Sequence, residues 1–173
     1  FEYAGEDVPE VTFEYTFENE ATIFEITKSD LTTGEELPGA KLEVTDQDGN
    51  VVDAWTSGTE PHIIKELEVG KEYTLTETLP ADGYVTAESI TFTVENTAEV
   101  QKVEMKDDVT KVEISKVDMT DGSSEVEGAK LYILNENNEV MESWTSGKKS
   151  HYLEKLPVGK YTLLEETAPK GYI

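Results

Sequence analysis

The sequence predicts an all-β fold built from small sandwiches, and three observations predict it. Short segments alternate apolar and polar residues, turn signals separate them at regular intervals, and the whole pattern recurs once along the chain. The segments 40–46, 51–56, 72–78, 89–95, 99–106, 111–117 and 129–134 are rich in Val, Ile, Thr, Tyr and Phe, the residues that fit a pleated, half-buried surface. Asp48-Gly49-Asn50 and Asn137-Asn138 fall between such segments and read as hairpin turns. No helical stripe of convincing length interrupts them. Short strands with regular turns are the signature of a small sandwich.

The repeat has an offset of 88 or 89 residues throughout. Ile26-Thr27-Lys28 matches Ile114-Ser115-Lys116, and Gly39-Ala40-Lys41-Leu42 matches Gly128-Ala129-Lys130-Leu131. Trp55-Thr56-Ser57-Gly58 matches Trp144-Thr145-Ser146-Gly147, Tyr73-Thr74-Leu75 matches Tyr161-Thr162-Leu163, and Gly83-Tyr84 matches Gly171-Tyr172. The slips in offset belong in surface loops, where insertions are tolerated. The N-terminal residues extend the pattern. Asp107 precedes Lys116 by nine residues, and Asn19 precedes Lys28 by nine. Asn19 ends its own alternation of Val11, Phe13, Tyr15 and Phe17. The expected organisation is therefore the closing strand of a preceding repeat over 1–19, a complete repeat over 20–108, and a second repeat over 109–173 that lacks its closing strands.

Composition narrows the function. A net charge of -24 opposes binding to nucleic acid and to anionic membrane. There are no cysteines, which excludes disulfides and thiolate metal sites and is compatible with export. No apolar run approaches the roughly 18 residues of a membrane span. No signal peptide is visible, as in a mature exported chain.

Three residues break the apolar alternation in the same frame. Lys28 ends Phe24, Ile26, Lys28; Glu77 ends Tyr73, Leu75, Glu77; Asp107 ends Val103, Met105, Asp107. Residues two apart in a strand share one face, so an amine and two carboxyls point into a core. Burying them is costly unless they are paired or have a use. Low dielectric favours a neutral amine, which is a nucleophile, and a protonated carboxylic acid. A protonated Glu77 between the other two would polarise the acceptor carbonyl and shuttle protons while the amine attacks. The product is an amide between Lys28 Nζ and Asp107 Cγ, formed once per site without a cofactor. A buried Lys–Asp–Glu ion network with no bond is the other reading of the same pattern.

At these residues the sequence resembles the B-type repeat of the collagen adhesin of Gram-positive bacteria, found also in their SpaA-type pilins. The resemblance rests on Ile-Thr-Lys-Ser-Asp (26–30), Leu-Pro-Gly-Ala-Lys-Leu (37–42), Tyr-Thr-Leu-Thr-Glu-Thr (73–78) with Gly83-Tyr84, and Val-Glu-Met-Lys-Asp (103–107). It implies tandem prealbumin-like, seven-stranded Greek-key sandwiches. It also implies an intramolecular isopeptide bond between Lys28 and Asp107 with Glu77 as its catalyst.

In the second repeat Lys116 takes the place of Lys28, and either Glu165 or Glu166 matches Glu77. Strand parity from Tyr161 and Leu163 selects Glu165, because a residue on the wrong face cannot reach Lys116. Lys116 has no acceptor in its own repeat. The linker from Asn19 to Phe24 spans at most about 14–18 Å, against roughly 25–30 Å for a sandwich of eight-residue strands. Asn19 should thus lie at the wrong end to serve Lys116 of its own chain. Asn19 of another copy fits, with residues 11–19 added as a strand and a head-to-tail filament as the result. A boundary cut inside a longer array is the alternative.

Other features carry less. Asp46-Gln47-Asp48-Gly49-Asn50 lacks the glutamate of a calcium loop and reads as a turn. His62 and His151 read as strand-edge residues, and Trp55 and Trp144 as core or half-buried packing rather than a sugar platform. Leu37-Pro38-Gly39-Ala40 lacks the ending of a sorting signal. No metal, cofactor or enzymatic turnover is expected. The expected role is an extracellular structural stalk on a bacterial cell surface, in a cell-wall-anchored parent, with neighbouring repeats as partners. A module that grips a host extracellular ligand and an engineered split domain for covalent ligation are the alternatives.

Overall fold

The computed structural model describes residues 15, 16 and 18–172. Twelve strands are seen among them: β1 (Ile23–Asp30), β2 (Lys41–Thr45), β3 (Val51–Thr56), β4 (His62–Lys65), β5 (Glu72–Leu79), β6 (Ile90–Thr93), β7 (Gln101–Asp107), β8 (Lys111–Ile114), β9 (Lys130–Leu134), β10 (Val140–Thr145), β11 (His151–Glu154) and β12 (Thr162–Thr167). In the first repeat a three-stranded sheet of order β4-β1-β7 faces a four-stranded sheet of order β3-β2-β5-β6. The first and last strands, β1 and β7, are parallel neighbours, whereas the remaining pairs are antiparallel.

Alternation dictates the core. Phe24 and Ile26 of β1, Ile64 of β4, and Val103 and Met105 of β7 meet Leu42 and Val44 of β2 and Tyr73 and Leu75 of β5. Fully burying one such aliphatic side chain stabilises by about 1.5–3 kcal/mol. The turns are fixed by side chains. Asp46 Oδ1 accepts from the backbone N–H of Asp48 (2.9 Å) and of Asn50 (2.8 Å), closing the β2–β3 hairpin. Buried Ser57 Oγ accepts from Ala40 N (2.9 Å) and donates to Leu37 O (2.6 Å), which pins the segment before β2 to the end of β3. Ser146 does the same with Ala129 N (2.9 Å) and Val126 O (2.6 Å), and this is why Trp-Thr-Ser-Gly recurs. Tandem β-sandwich architecture is what the sequence predicts.

The second repeat forms sheets of order β10-β9-β12 and β11-β8. Val126, Ala129, Leu131 and Ile133 are buried, but Leu163 is 53% exposed where its counterpart Leu75 is 0% exposed. The expected strand over 111–117 is shorter. β8 stops at Ile114, opposite His151, just as β4 leaves β1 at Ile26 opposite His62. From Thr27 to Asp30 the only named strand beside β1 is β7, with a single bridge from Ser29 to Glu36 on the other side. Among the described residues β8 has no such second neighbour, so Lys116 lies beyond the strand end. The expected strand over 11–19 falls partly outside the described residues (11–14 and 17). Residues 15, 16, 18 and 19 are exposed and not in a strand, and Asn19 pairs with no sheet. An isolated strand has no ladder to stabilise it, so this segment needs a sheet edge to become one.

Candidate functional site: the buried Lys28–Glu77–Asp107 cluster

The first repeat brings three ionisable side chains together inside the sandwich. β1 places Lys28 on its buried face, β7 places Asp107 next to it, and β5 brings Glu77 across from the facing sheet, opposite Leu42. Lys28, Glu77 and Asp107 are 2%, 4% and 1% exposed. Lys28 Nζ donates directly to Asp107 Oδ1 and lies 2.9 Å from Glu77 Oε1. The other Glu77 oxygen, Oε2, accepts from Ala87 N at 2.8 Å, which aims Oε1 at the amine. Glu77 Oε1 is thus paired with the amine, while Asp107 Oδ2 has no hydrogen-bond partner among the described residues. Burial pushes the Asp107 carboxyl well above its usual range, Lys28 opposes that shift, and Glu77 reinforces it. A carboxyl kept neutral is the better electrophile, because a carboxylate resists attack by an amine.

Several supporting groups escaped the sequence reading. Burial pushes the Glu36 carboxyl above its usual range, and the backbone N–H of Lys28 opposes that shift. Lys116 N donates to Glu125 Oε2, at 3.1 Å. Half-buried Trp55 stacks on His62 (centroids 4.0 Å apart, 11° between planes), and His62 Nε2 lies 2.8 Å from Asp53 Oδ2. Trp144 and His151 repeat the stack at 4.2 Å and 8°. The first stack, with Lys28 and Glu36, lines a cavity of about 140 Å³. The recurrence of Glu36 as Glu125 was the available signal, but a lone glutamate outside a strand pattern says nothing of its target.

In the second repeat Lys116 Nζ is 3.4 Å from Glu165 Oε2, and both side chains are about a third exposed, at 29% and 32%. Glu166 points elsewhere: its Oε2 pairs with Lys130 Nζ (2.7 Å) and accepts from Tyr132 Oη (3.0 Å). Parity thus puts Glu165, not its neighbour, beside Lys116. Asn19 is brought to neither cluster.

The SpaA prealbumin-like fold domain matches this chain twice, over residues 22–109 and 110–173. The chain belongs to that family. Comparison with curated protein sequences gave no match. Among solved structures, the TIE protein of Bacillus anthracis is 29% identical with a TM-score of 0.54, over 87% of this chain and 29% of that one. This SpaA-type chain therefore spans less than a third of that protein's length. A streptococcal ancillary pilin is similar at 19% identity and TM-score 0.47, over 91% of this chain and 56% of its own. The shaft pilin SpaA of Lactobacillus rhamnosus GG is similar at 13% identity and TM-score 0.43, over 89% and 90%.

Proposed function

We propose that this chain is a load-bearing segment of a Gram-positive extracellular stalk, and that Lys28 and Asp107 join in an isopeptide bond that locks its first and last strands. The observation that carries the reading is the direct contact of a buried amine with a buried carboxyl, with a second carboxyl 2.9 Å from the same nitrogen. The neutral Lys28 amine attacks Asp107 Cγ. Glu77 takes the proton the nitrogen loses and delivers one to the departing hydroxyl, so one C–N bond forms, one C–O bond breaks and one water leaves. Proximity and the dry site replace an activating group.

The mechanical benefit follows from topology. A pull on the two ends of the repeat enters β1 near Ile23 and leaves β7 near Asp107. Because these strands are parallel and paired from Phe24–Gln101 to Asp30–Asp107, the load shears the ladder rather than peeling it. A Lys28–Asp107 bond would carry that load across a sequence separation of 79, past everything between the two residues. Forced unfolding is governed by the unfolding barrier, which such a bypass raises.

In the second repeat, the Lys116–Glu165 pair, about a third exposed, beside exposed Leu163 favours completion by an added strand. Residues 11–19 of another copy, ending in Asn19, supply the matching alternation. Reaction of Asn19 with Lys116 would release ammonia and link copies head to tail.

Intact-mass spectrometry tests the central claim. A Lys28–Asp107 bond lowers the mass by about 18 Da, one water, and digestion yields a crosslinked peptide pair. An unshifted mass with no such pair defeats it. A ladder of multimers on a denaturing gel supports the Asn19–Lys116 link, and a sole monomer band rejects it.

A further inference from the structure

The joint between the two repeats is built around a tyrosine. β7 continues through Asp108-Val109-Thr110 into β8, and Thr110 N donates to Gly83 O at 2.8 Å. Lys155, at φ 61°, donates its backbone N–H to Thr110 O at 3.0 Å, and Thr110 Oγ1 donates to Leu156 O at 2.7 Å. This turn of the second repeat presses on Gly83 of the first, where an added Cβ would lie 2.6 Å from Lys155 O. Lys155 Nζ donates to Tyr84 Oη (2.9 Å) and lies 3.6 Å from Asp30 Oδ2, while Tyr84 Oη donates to Asp30 Oδ2 (2.7 Å). The ammonium also sits 5.1 Å from the centre of the Tyr84 ring.

Both halves of this joint occur again, each without a mate among the described residues. At one end Tyr172 Oη donates to Asp118 Oδ2 at 2.8 Å, and Gly171, at φ +94° like Gly83 at +85°, has nothing within 4 Å of its would-be Cβ. Tyr172 is 44% exposed where Tyr84 is 7% exposed. At the other end Glu66, at φ 66°, donates its N–H to Thr22 O at 3.0 Å, and Thr22 Oγ1 donates to Leu67 O at 2.8 Å. The backbone matches the Lys155 turn bond for bond. The side chain does not: an acid stands where the mated joint has a base.

We propose that the Asp118–Tyr172 end is a docking surface for a further repeat of this fold carrying a lysine or arginine at the left-handed turn position, and that Glu66 makes the stacking of copies of this chain there weaker than the docking of such a repeat, so that a head-to-tail link between copies rests on the exchanged strand rather than on this contact. The inference deepens the stalk reading, on which it rests. Head-to-tail exchange of residues 11–19 would set Asn19–Thr22 where Asp107–Thr110 now stand. That brings Glu66 of one copy to Asp118 of the next. Opposed carboxylates at such a contact penalise the wrong partner and leave the right one favoured.

Sedimentation equilibrium of Glu66→Lys against the unaltered chain tests it. The variant should self-associate at least about tenfold more tightly, since a repulsive charge pair becomes attractive, and Asp118→Ala or Tyr172→Phe in the Glu66→Lys background should remove the gain. Identical sedimentation of the variant and the unaltered chain, or a gain indifferent to Asp118 and Tyr172, overturns the proposal. In a second measurement, Lys155→Glu gives the internal joint the Glu66 chemistry. It should loosen the two repeats, seen as a larger radius of gyration by X-ray scattering, and an unchanged radius also counts against the proposal. Mass on the same samples reads the Lys28–Asp107 bond, so failure of the joint and failure of the crosslink are told apart.

Discussion

Lys28 stands opposite Met105 in the parallel β1–β7 ladder, yet its amine touches Asp107, two residues further along β7. A lysine is long enough to lean along the strand by that distance, and Met105, 1% exposed, fills the space directly across. The stagger leaves Lys28 and Asp107 on the same buried face. It also leaves room for Glu77 to approach from the other sheet, with its free oxygen on the amine.

Glu77→Gln should stop bond formation while keeping the shape of the site, because the amide cannot relay a carboxyl proton. The mass would stay unshifted. Losing a crosslink that closes a loop of this size costs on the order of 4–5 kcal/mol in the chain-entropy model. Urea unfolding of Glu77→Gln against the unaltered chain measures it. A Glu77→Gln protein that still loses water would remove Glu77 from the reaction.

Asp107→Asn should still yield the bond, since an amide is also an acceptor and its leaving group is ammonia. The mass loss becomes about 17 Da instead of 18. Asp107→Ala should leave Lys28 buried against Glu77 alone and give no shift.

Much of this site was legible in the sequence because strands obey a period of two. Lys28, Glu77 and Asp107 each end an apolar alternation, and a face assignment follows from that alone. Parity likewise distinguished Glu165 from Glu166. The extent of β8 was not legible: Val112 and Ile114 carry the alternation onward to Lys116, but a strand persists only where a neighbour pairs with it. The joint was hidden for a different reason. Asp30, Tyr84 and Lys155 come from three loops or strand ends, and no periodicity links them. Only the recurrence of Asp30 as Asp118 and Tyr84 as Tyr172 marked them.

Ser57→Ala should destabilise the first repeat by about 1–3 kcal/mol, because it strands a buried N–H of Ala40 and a buried carbonyl of Leu37. Ser146→Ala should act alike in the second repeat. Thermal unfolding followed at Trp55 or Trp144 reports each. A shift of a few tenths of a kcal/mol would mean that water replaces the hydroxyl.

Acid should weaken the joint. The Tyr84 hydroxyl bond, helped by the backbone of Thr33 and Thr32 and by Lys155, holds the Asp30 carboxyl at about 2, below the ordinary aspartate value of 3.8. A carboxyl depressed on folding contributes stability above its unfolded pKa and loses it as pH falls through the folded one. The contribution is thus full above about pH 4 and fades toward pH 2. Tyr84→Phe removes the largest cause, so Asp30 should titrate higher, and the difference in stability between Tyr84→Phe and the unaltered chain should shrink across that window. Carboxyl-carbon NMR titration of Asp30 checks the first point, and urea unfolding at several pH values checks the second.

A pair of glycine substitutions separates backbone strain from packing at the joint. Gly83 and Gly171 occupy equivalent places with φ of +85° and +94°, so alanine meets the same left-handed penalty, about 1–2 kcal/mol, at both. They differ in what surrounds them. A Cβ on Gly83 collides with the backbone of Lys155, whereas one on Gly171 enters open space. Gly83→Ala should therefore cost clearly more than Gly171→Ala and should also spread the two repeats apart. Unfolding free energies give the first comparison, and scattering gives the second. Equal costs with unchanged scattering would mean that the Lys155 turn yields freely and that the joint has little rigidity of its own.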